Sequence, residues 1–364
     1  MGWASRIRQA AGAPRLAFAL VATAVIGASA VPAAADGAPG PTPAADFAPA
    51  GAAEIRIALP FPPGVEYAGF YRAQDLGLYA AEGLRVRLLH ELDDPLARLQ
   101  QGGADVAVAW TADHLTARAA GAQTVEIARL IAGASLTLVC RDADALADAG
   151  PRGLAGLRLG RPDGPTGRGL DLWLATMGLD AASGGGAART TAQPTRVSAA
   201  DPALFDCLTV RRHVDLADAP AGFAPTFALG RLGAPLAEDA LYASRHAVAD
   251  PQRRDHLARL LRALSAGWAD AFADPAAAAA AVGARTGTAP SPAAVAERLA
   301  ERRTLAPSAG PVGAPDPALI QAAAVWLLNA GARPPLTRFP QGGWTHGVAD
   351  AVAGPPETPP SDER

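Results

Sequence analysis

The stretch from Tyr67 to Val86, YAGFYRAQDLGLYAAEGLRV, constrains the fold of this 364-residue chain more than any other. An alternating apolar segment, Glu54 to Leu59, precedes it, and the segment Leu84 to Leu89 closes it. Between them lies an aromatic helix with Tyr67, Phe70 and Tyr71 on one side, broken at Gly77 and again at Gly83. Pro60-Phe61-Pro62-Pro63-Gly64 ends the first segment abruptly. Asp94-Pro95 then starts a helix, with an acceptor cap and a proline in the first turn. It stops at Gly102-Gly103, ahead of a short buried strand within Ala104 to Trp110. Strand, helix, strand, helix, strand predicts an α/β protein with helices packed on its sheet. In such folds ligands collect at the carboxyl ends of the strands.

Thr111 can cap the next helix, which ends at Gly121, and Thr124 to Ile131 and Ser135 to Cys140 complete a first block. A second block reads as a strand at Leu157 to Gly160, the glycine-rich turn Arg161 to Gly169 and a helix through Met177. Thr195 to Ser198 and Val214 to Ala217 are expected strands, and Pro202 to Val210 an expected helix. Ala240 to Ser244 reads as a strand returning to the first block. Beyond Pro251 the pattern is helical. Leu257, Leu260, Leu261, Leu264 and Trp268 follow the 3.6-residue period, and Pro275, Pro292 and Pro317 each open a further helix.

Tyr67-Ala68-Gly69-Phe70-Tyr71, Gly77-Leu78-Tyr79, Glu82-Gly83-Leu84-Arg85-Val86 and Gly103-Ala104-Asp105-Val106 together form a pattern. It resembles the solute-binding proteins of ABC importers, in the family that includes thiamine-pyrimidine-precursor- and alkanesulfonate-binding proteins. The resemblance covers about residues 54 to 330, most densely up to residue 140. It implies a two-lobed type II periplasmic binding fold, each lobe a mixed sheet flanked by helices, joined by a two-segment hinge. Residues 54–140 with 244–350 would form lobe I and residues 141–243 lobe II, with crossings near Cys140-Arg141 and Tyr242-Ala243. It further implies a monomer that captures a small organic solute between the lobes and delivers it to a membrane permease and its ATPase, with no cofactor. A heteroaromatic such as a pyrimidine or flavin, or a sulfonate, is the expected solute. A binding module for a sensor or receptor is the alternative. The superfamily also has a eukaryotic branch that makes the thiamine pyrimidine, using an active-site histidine and an iron-binding cysteine-rich motif. His114 lies in a similar region, but no cysteine cluster accompanies it.

The first 35 residues read as a cleavable export signal: Arg6, Arg8 and Arg15, then the uncharged run Leu16 to Val31, then Ala33-Ala34-Ala35. The run is shorter than the roughly 20 residues a spanning helix needs. No cysteine lies near the cleavage site to carry a lipid, so a periplasmic location is expected. Residues 36–53 read as a flexible leader and 351–364 as a disordered tail. Loss of the three arginines takes the formal charge from -3 to -6, which argues against nucleic acid as a partner. There is no lysine in the chain. Cys140 and Cys207 are the only cysteines, and in an exported protein they either form a disulfide or remain two buried thiols. Neither has a second ligand at metal-site spacing, so no metal site is expected.

A binding site of this kind needs strand-end loops that present aromatic surfaces and a few polar groups. The candidates are Phe61, Glu66 and Tyr67 after the first strand, and Trp110, Thr111 and His114 after the third. Thr166 and Arg168 in the glycine-rich turn, and Asp218, complete the set. Trp110 either stacks on a planar ligand or plugs the sheet edge. Tyr67 stands where several pyrimidine-binding relatives carry histidine. Thr166, Arg168 and the free backbone N–H groups around them would suit an anion. The turn lacks the Lys-Ser/Thr ending of a nucleotide P-loop, and no hydrolase elbow or His-Glu-x-x-His pair occurs.

Overall fold

A computed structural model describes residues 51–181, 186–329 and 342–353. The expected export signal, most of the leader and most of the tail lie outside those residues. The strands are β1 (Ala53–Ala58), β2 (Leu84–Leu89), β3 (Val106–Ala109), β4 (Thr124–Arg129), β5 (Leu136–Cys140), β6 (Arg158–Pro162), β7 (Arg189–Gln193), β8 (Cys207–Arg211), β9 (Ala224–Ala228) and β10 (Ala240–Ser244). The helices of the first half are α1 (Ala68–Asp75), α2 (Leu78–Ala81), α3 (Pro95–Gln100), α4 (Thr111–Ala119), α5 (Ala143–Ala149) and α6 (Gly164–Thr176). Those that follow are α7 (Arg245–Ala249), α8 (Pro251–Ala273), α9 (Pro275–Thr286), α10 (Pro292–Leu305), α11 (Pro317–Asn329) and α12 (Ala349–Ala353).

Two mixed five-stranded sheets result, ordered β2-β1-β3-β10-β4 and β7-β6-β8-β5-β9. In the first, β1 runs parallel to β2 and β3, while β10 is antiparallel to β3 and β4. In the second, β6 runs parallel to β7 and β8, while β5 is antiparallel to β8 and β9. With helices on both, this is the two-lobed α/β architecture that the sequence predicts. The chain passes between sheets twice, over residues 130–135 and 229–239.

Those crossings correct the expected ones. β5 belongs to the second sheet, so the chain leaves the first before Ser135 rather than at Cys140-Arg141, and it has returned before Ala240 rather than at Tyr242-Ala243. Every residue of β5 is buried, and a strand covered on both faces carries no mark of which sheet receives it. Two expected elements also change. Pro202 to Val210 is a 3₁₀ turn, Pro202–Leu204, followed by β8, and Val214 to Ala217 leads into a 3₁₀ turn at Leu216–Asp218. The expected strand at Thr195 to Ser198 lies at Arg189–Gln193 instead, and β9 has no counterpart in the sequence reading. Cys140 and Cys207 are register partners of β5 and β8 and are joined by a disulfide.

Glycines set how closely the first lobe packs around the turn after β1. A Cβ on Gly69 would fall 2.2 Å from Trp268, and one on Gly267 would fall 2.3 Å from the Gly69 carbonyl oxygen. α1 and α8 therefore meet backbone to backbone, with Phe70, Tyr71 and Trp268 buried around the contact. α10 joins the same core through Val295 and Leu299. The second core gathers Leu136, Leu138, Leu159, Leu170, Trp173 and Phe227. Among the described residues no helix is long and apolar enough to cross a membrane.

Candidate functional site

The turn after β1 positions the first functional side chains. Pro60 to Gly64 leads into a 3₁₀ turn, Val65–Tyr67, which opens α1. Tyr67 is buried and its hydroxyl accepts from the Phe61 backbone N–H at 3.2 Å, which folds the turn back on itself. Glu66 is thereby held at the seam between the two sheets, only 1% exposed. A Cβ on Gly64 would sit 2.1 Å from Glu66 Oε2 and 2.4 Å from Arg196 Nη2, so glycine is needed there for the carboxylate and guanidinium to close over the turn.

From the opposite side, β8 ends in Arg211. Its Nη2 stands 3.4 Å from Glu66 Oε1, and its guanidinium lies 3.8 Å from the Phe61 ring centroid. Arg196, also from the second lobe, stands 3.3 Å from Glu66 Oε1 and donates to the Pro63 carbonyl at 3.0 Å. Asp215 is 3.5 Å from Arg211 Nε. The seam is thus a buried charge cluster made from both lobes, with Asp239 on the second crossing and Arg302 on α10 in electrostatic reach of it. Burial pushes the Glu66 carboxyl up, but Arg196 and Arg211 outweigh it and hold it below its usual range. Burial pushes Asp215 and Asp239 up against the pull of their arginines. Burial lowers Arg302 to about 10, with Asp239 opposing, so it remains cationic at neutral pH.

The hinge carries its own buried carboxylate. Glu238, on the second crossing, accepts from the backbone N–H and hydroxyl of Ser135 at 2.5 and 2.7 Å, and from the Leu136 N–H at 3.2 Å. It ties the two crossings together, and burial pushes its carboxyl up to about 7.

The expected site residues divide into three groups. Phe61, Glu66 and Tyr67 come together at the seam, as described above. Trp110 also lies there, beside the Asp239 carboxyl, but it is 1% exposed and packs into the second lobe's core, where a Cβ on Gly169 would be 2.9 Å from its ring. Thr111 and His114 sit inside the first lobe. Thr111 Oγ1 accepts from Arg129 Nη2 at 3.0 Å, and the His114 ring lies 4.2 Å from that of Tyr242, with Nε2 3.3 Å from the Thr124 carbonyl. Burial lowers His114 to about 3, which keeps the ring neutral.

The remaining three lie in the second lobe. Thr166 is buried in the first turn of α6. Arg168, expected to bind an anion, instead donates to Asp113 of α4 at 2.6 Å across the rim. Asp218 follows no strand and accepts from Arg298 of α10 at 2.6 Å. Sequence reasoning missed Arg196, Arg211, His213, Asp215, Asp239 and Arg302. Two signals were available. The run Arg211-Arg212-His213-Val214-Asp215 directly follows an apolar segment, and Arg302 falls on the same α10 face as buried Val295 and Leu299.

A family model described as NMT1/THI5 like matches residues 65–278, more than half of the chain. No curated protein matches the sequence significantly. Several solved structures share the fold. The alkanesulfonate-binding protein SsuA from Xanthomonas axonopodis pv. citri, bound to MOPS, aligns with a TM-score of 0.57 at 16% identity, over 80% of this chain and 98% of that one. The periplasmic aliphatic sulphonate binding protein SsuA from Escherichia coli gives 0.55 at 16% identity, over 76% and 85%. A ligand-binding component of an ABC-type import system from Staphylococcus aureus, with zinc bound, gives 0.59 at 9% identity, over 82% and 99%.

Proposed function

This chain belongs to the NMT1/THI5-like family, and from that premise we propose that it is the periplasmic solute-binding component of an ABC importer. One observation carries the reading. Glu66, placed by the first lobe, and Arg211, placed by the second, meet in a buried seam at the strand ends, where a bound solute would be gripped by both lobes at once. Solute binding would shift the population toward the form with the lobes docked, which a membrane permease and its ATPase would recognise. The solute is a small organic molecule, a heteroaromatic or a sulfonate. The sulfonate-binding proteins that share the fold favour the second, and the aromatic ring of Phe61 under Arg211 favours the first.

A thermal-shift screen of pyrimidines, flavins, sulfonates and nitrate, followed by small-angle scattering of any hit, tests this. A true solute at 100 times its dissociation constant should stabilise by about 2.7 kcal/mol and reduce the radius of gyration. If no solute of any of these classes shifts the melting point, the reading fails.

A further inference from the structure

Several buried polar atoms at the seam have no hydrogen-bond partner in the protein, Glu66 Oε2, Asp215 Oδ1 and Trp110 Nε1 among them. Both terminal nitrogens of Arg302 are in that condition, as are both ring nitrogens of His213. Each side chain is 2% exposed. Arg302 projects from α10 with its guanidinium 3.8 Å from the Trp268 ring centroid, a stack that fixes the plane of its N–H groups. His213 lies on the turn after β8, and of the charges acting on it that of Arg302 is the strongest. Burial holds its ring neutral, so one nitrogen keeps an N–H to donate. Arg302 comes from the first lobe's core and His213 from the second lobe. Arg212 with Glu301 at 2.7 Å, and Arg298 with Asp218 at 2.6 Å, tie α10 to the same turn.

A flat guanidinium with free N–H edges, with a neutral imidazole on the turn that salt bridges tie to its helix, is a donor set that matches an oxyanion and offers a neutral solute little. We propose that Arg302 and His213 form an oxyanion subsite of the interlobe seam, so that the solute of this chain carries a carboxylate, sulfonate or phosphate group. The inference rests on solute binding in the seam, and it moves the anion contact from Arg168, which Asp113 already occupies, to α10. An oxyanion bridging Arg302 and His213 would bind to both lobes and so draw them together. Arg302 lies on α10, beyond residues 65–278 that the family model matches.

The test pairs each charged solute with a neutral analogue on the full chain: nicotinate with nicotinamide, propanesulfonate with propanesulfonamide, and pyridoxine phosphate with pyridoxine. Melting-point shift and calorimetric affinity are measured for the wild type, Arg302→Gln and His213→Phe. The expected result is that at least one charged member binds and its neutral partner does not. Arg302→Gln should then weaken that binding by about a hundredfold, with His213→Phe reducing it in the same direction. The arm that binds identifies the oxyanion. If Arg302→Gln does not fold by circular dichroism, Arg302→Lys and His213→Phe carry the comparison. Equal binding of charged and neutral members, or charged binding untouched by both substitutions, overturns the subsite and leaves solute capture standing. Silence across all three pairs also overturns it, and the neutral pyrimidines and flavins of the wider screen then decide whether the seam binds anything.

Discussion

Replacing Glu66 with glutamine keeps the side chain's volume and removes the charge that joins the turn after β1 to the end of β8. Arg211 is then left 2% exposed, with Asp215 at 3.5 Å as its remaining carboxylate. Removing one partner of a buried ion pair costs about 3–5 kcal/mol, because the other charge stays desolvated and uncompensated. Asp215 retains part of the compensation, which places the expected cost at the low end, about 3 kcal/mol. The partners come from different lobes, Glu66 from the turn after β1 and Arg211 from β8, so the cost falls on the docked arrangement relative to one in which the lobes have separated. At about 1.4 kcal/mol per decade, the docked-to-separated ratio should fall by about two decades. Small-angle scattering should show a larger radius of gyration for Glu66→Gln than for the wild type, and urea unfolding a lower midpoint. A double-mutant cycle with Arg211→Met should return a coupling of about 1–3 kcal/mol. Unchanged radius and midpoint, together with a coupling under about 0.5 kcal/mol, would refute the claim that this pair holds the lobes together.

Two further predictions concern stability. The Cys140–Cys207 bond closes a loop with a sequence separation of 67 inside the second lobe, so C140A/C207A should lose about 4 kcal/mol by the chain-entropy estimate. Urea midpoints check this, and equal midpoints for the oxidised wild type and the double variant would contradict it. The hinge carboxylate gives a pH dependence. Glu238 is raised from its ordinary 4.5 to about 7, so its contribution is full below pH 4.5 and is lost as pH rises through about 7. Relative to Glu238→Gln, the wild type should therefore gain about 3 kcal/mol on going from pH 8 to pH 4.5. His114, lowered to about 3, acts oppositely by losing stability as pH falls below 6.5, but it is common to both proteins and cancels in the difference. Parallel pH profiles for the two proteins would exclude the hinge assignment.

The first lobe was legible because local chemistry and packing agree there. The glycines at 69, 77 and 83 mark a close helix contact and two left-handed turns, and the aromatic residues between them are the ones that are buried. The second lobe was less legible for two physical reasons. β5 and β8 are buried along their whole length, so neither has a solvent face that names its partner sheet. β9 carries Pro225 and pairs only with β5 at the sheet edge, where proline is tolerated but the sequence reads as a loop. The same limits apply to the site. Glu66 and Tyr67 follow a recognisable strand end, whereas Arg211 was placed beyond a helix that does not exist, and Arg302 resembles any charged residue on a surface helix until its neighbours on that face are seen to be buried.

Position in the seam separates the charges that matter from those that do not. Arg168–Asp113 and Arg298–Asp218 span the lobes at the rim, where one partner in each pair is more than 40% exposed, so water and salt screen them and they contribute little to closure. Arg211–Glu66 spans the lobes at 2% and 0% side-chain exposure, where screening is absent and an unmatched charge is costly. A chain without lysine makes every such contact with a guanidinium, whose planar donors are less strongly hydrated than an ammonium and keep their proton when buried. Discrimination among solutes should therefore reside at the inner end of the seam, where an incoming group must match the unpartnered Arg302 without displacing the carboxylates that already hold Arg211 in place. Raising salt should weaken the rim contacts and leave that inner match nearly unchanged.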